Sequence, residues 1–192
     1  MTFDRQPTLT GELLELRPLR EEDYDAAFAV ASDPLIWALH PARDRWQEAV
    51  FRGFFGDAMA SGGAFAVVDR ADGRLIGSTR FAGYAPERSE VEIGWTFLAR
   101  SHWGGRFNKE MKSLMLAHAF RFVDSVLFVV GPENWRSRRA VEKIGGVLDG
   151  RRRDDTGLES VVYRIRNADW VLRYTASTGS AVTQDERDER EK

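Results

Sequence analysis

The sequence predicts a single domain of mixed α/β class, and three observations lead there. The period of the apolar residues switches repeatedly between two and about 3.6, the signatures of strand and helix. Early hairpin signals give way to a strand-helix-strand-helix passage, the order of a mixed sheet. The 192 residues are 43% hydrophobic, with 12 Phe and 6 Trp, enough apolar surface to offset the ordering entropy of one core.

In chain order, residues 1–10 are polar around Pro7 and read as a flexible lead-in, with the domain spanning 11–174. Glu12 to Leu19 is a strand ending near Pro18. Glu22 to Ala31 is helical, because Tyr24, Ala27, Phe28 and Ala31 share a face at i, i+3, i+4, i+7. Asp44 to Met59 is a second helix, stopped by Ser61-Gly62-Gly63. Ala64 to Asp69 and Leu75 to Phe81 form a hairpin, since Asp72-Gly73 tolerates the positive φ of a tight turn. Glu90 to Leu98 is a strand with Val91, Ile93, Trp95 and Phe97 expected on one face and Glu90 and Glu92 on the other.

Phe107 to Phe122 is the strongest helix, and Val126 to Val130 is an apolar run suited to a central strand. Ser137 to Ile144 is a short helix closed by Gly145-Gly146. Val147-Leu148 and Ser160 to Ile165 are strands around the turn Asp154-Asp155-Thr156-Gly157. Residues 175–192 offer little to bury and close on alternating charge from Asp185 to Lys192, so they read as a disordered tail.

Composition narrows the function. With no Cys, disulfides and thiolate metal sites are excluded. No His-x-x-x-His spacing supports a metal. A net charge of −2 disfavours a nucleic-acid binder, although Arg151-Arg152-Arg153 reads either as a patch for RNA or an acidic substrate or as a solvated hairpin. No apolar run nears the roughly 18 residues that span a bilayer and no signal-peptide core is present, which leads to the expectation of a soluble, cytoplasmic protein.

Chemistry concentrates between Leu98 and Asn108. Two glycines, Gly104 and Gly105, join a strand to the strongest helix, with Arg100, Arg106, Lys109 and Lys112 nearby. Backbone N–H groups converging at a helix N-terminus make a phosphate seat, and a tight turn ringed by surface cations accounts for the same residues. Of the histidines, His118 falls on the apolar face of the long helix and reads as core. His102, beside Trp103, reads either as a surface turn residue or as lining the cleft, and His40, before Pro41, has no evident partner.

Trp103-Gly104-Gly105-Arg106-Phe107-Asn108-x-Glu110, then Asn134-x-x-Ser137 and Glu142-Lys143-Ile144-Gly145, resembles the GNAT superfamily of acyl-CoA-dependent N-acyltransferases. More narrowly it is similar to the ribosomal-protein N-terminal acetyltransferases, the RimJ/RimL-like branch. Leu16-Arg17-Pro18-Leu19, Ile76-Gly77 and Glu92-Ile93-Gly94-Trp95 fit that branch too, and the likeness covers roughly residues 8–172.

The resemblance implies a splayed, mostly antiparallel mixed sheet flanked by about four helices. Acetyl-CoA, the acyl donor, would lie where two strands part. Its pantetheine would pair with the backbone from Trp95 to Leu98, so Phe97 and Leu98 are cofactor-binding candidates. Its pyrophosphate would sit on Trp103, Gly104, Gly105, Arg106, Phe107 and Asn108. Arg106 replaces a usual glycine and brings a guanidinium that suits phosphate. Asn108 replaces a small residue and has a side chain suited to helix capping.

Acyl transfer to an amine needs a proton acceptor, oxyanion donors and a hydrogen bond to the leaving sulfur. The resemblance assigns these to Glu92, to a backbone N–H near Phe97 and to Ser137, with Asn134 supporting pantetheine or substrate. Against these stand a solvated carboxylate at Glu92 and helix capping by Asn134 and Ser137. Val141 stands where many relatives place an acidic tyrosine, and Val129 where some place a glutamate. Trp37, Trp46 and Phe54-Phe55 would cover the acceptor side. The implied function is acetyl transfer to a primary amine, either a protein N-terminus or a small molecule. The alternative is a catalytically weak relative that binds CoA or a peptide. Exposed aromatic strand edges leave a homodimer open.

Overall fold

The structure, a computed structural model, describes residues 2–172. The expected disordered tail lies outside those residues. Eight strands form one sheet in the order β1-β2-β3-β4-β5-β6-β8-β7. They are β1 (Leu9–Thr10), β2 (Leu14–Pro18), β3 (Ala64–Asp69), β4 (Leu75–Ala85), β5 (Glu90–Leu98), β6 (Ser125–Val130), β7 (Val147–Arg153) and β8 (Glu159–Arg166). Every neighbouring pair is antiparallel except β5 and β6. The α-helices are α1 (Tyr24–Ala31), α2 (Pro34–Trp37), α3 (Glu48–Ala60), α4 (Arg106–Ala119) and α5 (Trp135–Lys143). This is the mixed, mostly antiparallel architecture the sequence predicts.

The sheet separates two cores. Strand β3 alternates across it, sending Phe65 and Val67 to one side and Ala64 and Ala66 to the other. One core lies under α4, where Met111 and Met115 meet Leu14, Phe81, Val91 and Ile93. The second lies under α1, α2 and α3, where Trp37, Phe51 and Phe54 surround Phe97. Full burial of aromatic side chains contributes roughly 1.5–3 kcal/mol each before ordering costs, so these clusters fix the helices against the sheet. Among the described residues, no helix is long and apolar enough to cross a membrane.

Four features depart from the reading of the sequence. The lead-in is packed: Phe3 is buried against Phe81, Tyr84 and Phe122, and β1 pairs with β2. One aromatic side chain anchors a segment whose remaining composition is polar. Helix α2, only four residues long, is too short for a periodic signal; Asp33 caps it by accepting the Leu35 N–H at 3.0 Å, with Pro34 at its first position. Strand β7, expected only at Val147-Leu148, continues through Arg151-Arg152-Arg153, so the arginine run lies on an exposed hairpin strand.

The fourth departure shapes the site. Gly77 pairs with Leu98 and Ser78 with Phe97, but Arg80 pairs with Gly94. Thr79 alone therefore faces both Trp95 and Thr96, a β-bulge in β5, and Trp95 takes φ +49°. The extra residue reverses the alternation. Val91 and Ile93 enter the α4 core as expected, whereas Phe97 enters the other one.

Gly77 lies directly beneath this bulged strand. A Cβ there would come within 2.1 Å of the Phe97 carbonyl oxygen and 3.0 Å of Leu98 Cα, so the backbones would have to separate. Gly77→Ala is expected to cost roughly 1–3 kcal/mol in urea unfolding, as overpacking does. Gly53→Ala, inside α3 with nothing within 4 Å of the added Cβ, is expected to stabilise by about 0.5–1 kcal/mol.

Candidate active site

Strands β5 and β6 are paired only at Glu90–Ser125, Val91–Val126 and Glu92–Leu127. Beyond that point Gly94, Phe97 and Leu98 pair with β4, and Phe128, Val129 and Val130 pair with β8. The strands part, and a cavity of about 570 Å³ opens between them. Its walls include Glu92, the bulge from Gly94 to Thr96, the turn at Trp103-Gly104, and Asn134 and Ser137 on α5.

Glu92 is buried rather than solvated, and its carboxylate accepts from Arg152 Nη2 at 2.9 Å. Burial raises its pKa above the ordinary carboxylate value, with the Arg152 charge opposing. Glu90, which shares its face, is occupied elsewhere by Arg88 at 2.6 Å and Arg164 at 2.9 Å. The other two arginines of the run pair with Glu159.

The two readings of Asn134 and Ser137 divide between them. Asn134, 5% exposed, caps α5 by accepting the Ser137 N–H at 3.2 Å. That bond uses the Ser137 backbone and not its hydroxyl, and Ser137 lines the cavity. The turn is also divided. Phe97, Leu98, Trp103, Gly104 and Asn108 line the cavity with Asn134. Gly105, Arg106 and Phe107 do not line it: Gly105 precedes α4, Phe107 stacks edge-on against His102 at 4.6 Å, and Arg106 reaches Glu12 at 3.1 Å. Asn108 is the third residue of α4 and not its cap, a position that Gly105 holds. Trp103 Nε1 donates to the Leu98 carbonyl at 2.9 Å, and Arg136 stacks 3.9 Å above its ring.

Glu110 has a framing role. Its carboxylate accepts the backbone N–H groups of Glu12 and of Leu13, the latter at 2.9 Å. The first turns of α4 are thereby tied to the start of β2. His118 is buried as expected, with Nε2 2.7 Å from the Asp4 carbonyl. His102 is bonded rather than free, with Nε2 3.1 Å from Asp69 Oδ2 and Nδ1 2.9 Å from Ser101 Oγ. Trp37 and Phe97 line the cavity, Phe54 and Phe55 are core, and Trp46 is exposed. Among the described residues no group of three or more His, Asp or Glu is placed to hold a metal.

The residue that sequence reasoning placed wrongly is Lys112. It is no phosphate-side cation: it is 6% exposed, lines the cavity, and donates to Thr96 Oγ1 at 2.7 Å and Thr79 Oγ1 at 3.3 Å. Burial lowers its pKa from 10.5 to about 7. The signal was present, because Lys112, Met115, Leu116 and Ala119 share the i, i+3, i+4, i+7 buried face of α4.

The chain matches the acetyltransferase (GNAT) domain family over residues 14–147 and belongs to that family. GNAT acetyltransferases use acetyl-CoA as donor. Among solved structures the chain is similar to a GCN5-related N-acetyltransferase from Brucella melitensis, at 22% identity, over 86% of this chain and 80% of that one, with a TM-score of 0.73. It is similar to Mycobacterium smegmatis RimJ in complex with CoA-disulfide, at 18% identity, over 90% and 95% of the two chains, with a TM-score of 0.66. Spermidine N-acetyltransferase from Vibrio cholerae, in complex with CoA and spermine, is 16% identical over 84% of this chain and 99% of that one, with a TM-score of 0.65. These likenesses show the shared fold. No curated protein matches significantly.

A lysine whose folded pKa is lowered destabilises the protein wherever the unfolded chain holds the proton and the folded chain resists it. The penalty is absent above pH 10.5, accrues as the pH falls, and is complete below about 7. Stability measured for wild type and Lys112→Met from pH 6 to pH 10 is expected to favour the variant most at pH 6, with the difference shrinking by a few kcal/mol toward pH 10. A difference independent of pH would show Lys112 to be charged throughout.

Proposed function

We propose that this chain transfers the acetyl group of acetyl-CoA to a primary amine by direct attack of the amine on the thioester. The observation that carries this is the parting of β5 and β6 beside the Gly104 turn, with Glu92, Asn134 and Ser137 on the walls of the same cavity. The residues fit the donor. Beyond Glu92 the cavity-facing edge of β5 is a strand edge open to the amides of pantetheine, and the backbone at Gly104, with φ +69°, and the start of α4 suit a pyrophosphate. Arg106, an exposed side chain next to that turn, is within the reach of a further phosphate.

Glu92 takes the amine proton as the nitrogen–carbon bond forms. A neutral amine is required, since a free α-amino group has a pKa of about 8. The raised pKa of Glu92 suits it to this task. A backbone N–H near Phe97, beyond the bulge, donates to the developing oxyanion. As the carbon–sulfur bond breaks, the Ser137 hydroxyl donates to the departing sulfur. Asn134 holds the start of α5, and with it Ser137, in place. The acceptor is a protein N-terminus or a small amine.

Val141, buried on the cavity wall, supplies no acid for the leaving thiolate, and this favours a second reading as a CoA-binding relative without turnover. Kinetics and melting separate the two. CoA at about 100 times its Kd adds about 2.7 kcal/mol, a rise in Tm of roughly 5–10 °C for a domain of this size, whereas ATP and NAD are expected to have no effect. Glu92→Gln and Ser137→Ala are each expected to lower kcat about tenfold or more at saturating substrate. A rise in Tm without thiol release from any amine would establish the binding reading; no rise would remove both.

A further inference from the structure

Beside Trp37 the cavity wall holds two side chains that the transfer step does not use, His40 and Arg45. His40 Nδ1 accepts the Ala42 N–H at 2.9 Å. Burial, reinforced by the Arg45 charge, lowers the ring's pKa to about 4, so it is neutral at ordinary pH. A neutral imidazole that accepts at Nδ1 carries its proton at Nε2. That Nε2–H faces Arg45 Nη1 at 3.3 Å, and a guanidinium only donates. Two donors therefore converge with no acceptor between them.

Neither group is free to turn away. The Arg45 guanidinium lies 4.5 Å from the centroid of Phe54 and 5.5 Å from that of Trp37, and the His40 ring packs edge-on against Trp37. Asp44 and Asp57 act on Arg45 through space, without a hydrogen bond. Arg80 shares the Phe54 ring, is 6% exposed, and leaves Nη2 without a partner. The Arg136 charge also reaches His40. Of the two carboxylates on the cavity wall, Glu92 is already engaged by Arg152 and Asp154 by Thr156 and Leu158.

We infer that the acceptor is an amine that also carries a carboxylate, seated by His40 Nε2–H and the Arg45 guanidinium. This rests on the acetyl-transfer reading and names its substrate class. A carboxylate oxygen between the two donors satisfies both with charge-assisted hydrogen bonds. An amide or a plain amine leaves these half-buried donors to water and forgoes both charge-assisted bonds, a loss the site discriminates against. A polyamine brings further positive charge toward Arg45, Arg80 and Arg136, and like charges at close quarters select against it.

The experiment measures thiol release from acetyl-CoA by the full chain with matched acceptors: glycine, phenylalanine, glutamate and 4-aminobutyrate, each beside its amide and its decarboxylated amine, together with spermine. For at least one acid, kcat/KM is expected to exceed that of its amide by about tenfold or more. Arg45→Met is expected to bring that ratio close to one, and Arg45→Lys to restore part of it. The wild-type ratio is a complete test even where a variant does not fold. Amides or spermine turned over as well as the acids, or a ratio unchanged in Arg45→Met, would overturn the inference and leave acetyl transfer standing. No thiol release with any acceptor would overturn both, and a CoA melt then tells whether the donor cleft failed as well.

Discussion

The structure turns on where backbone pairing between β5 and β6 stops. Three residue pairs, ending at Glu92–Leu127, hold the only parallel junction of the sheet among the described residues. Beyond them the outer edges of both strands remain satisfied, β5 by β4 and β6 by β8. The inner edges face each other across a cavity. Edge N–H and C=O groups inside a folded protein call for partners, and a ligand carrying amides along its length meets that requirement without disturbing the sheet. The bulge at Trp95 belongs to the same device, because it adds twist where the strands must diverge. Its positive φ is costly for an aromatic residue, and it is retained where β5 meets the cavity. Thr79 Oγ1 and Thr96 Oγ1, 2.8 Å apart and both contacted by Lys112, tie the bulge down.

Around this opening the protein buries groups that weaken a fold. Lys112 lies under the bulge with no carboxylate in contact, Arg80 keeps an unpartnered nitrogen, and Glu92 is nearly excluded from water. Each incurs a desolvation cost. Glu92 and Lys112 stand on the cavity wall itself, and charged groups held there at a desolvation cost are the pattern of a site kept for chemistry at the expense of stability. Arg152 moderates it from an unexpected place. It comes from β7, the exposed edge strand, and so couples the outermost strand of the sheet to the carboxylate at the base of the cleft.

How much of this was legible follows from what each element depends on. The pattern of apolar residues found α1, α3, α4 and the strands β2 to β6 and β8, since such segments carry their own signal, and it marked β7 only at Val147-Leu148. It missed β1 and α2, whose two and four residues are too few to show a period. The motif residues Glu92, Asn134 and Ser137 do meet at one cavity. The side on which Phe97 points was not legible, because the bulge is set by pairing with β4 and leaves no mark in the alternation of β5. The burial of Lys112 was legible from its place on the α4 face and was overridden by its charge. His40 and Arg45 were illegible for a different reason. Their meeting depends on the loop between α2 and α3 folding over Trp37, and nothing in local sequence encodes a tertiary contact of that kind.

The residues of the Gly104 turn separate into a frame and a reserve. Glu110 is frame: its two oxygens take backbone N–H groups from Glu12 and Leu13, so the first turns of α4 and the entry to β2 move as one body. Phe3 extends that body by packing against Phe81 and Phe122 from the far end of the same segment. Arg106 is reserve. Its pair with Glu12 is exposed on both sides, and such pairs contribute little in water. A phosphate, doubly charged and able to accept two parallel N–H bonds, is the stronger partner for a guanidinium. The exchange leaves the frame intact, because the backbone donors of Glu12 and Leu13 stay on Glu110 whether or not the Glu12 side chain keeps its arginine. A side chain at position 106 thus does not close the turn to a pyrophosphate: the contact that positions the turn and the contact that Arg106 would offer a ligand are made by different atoms.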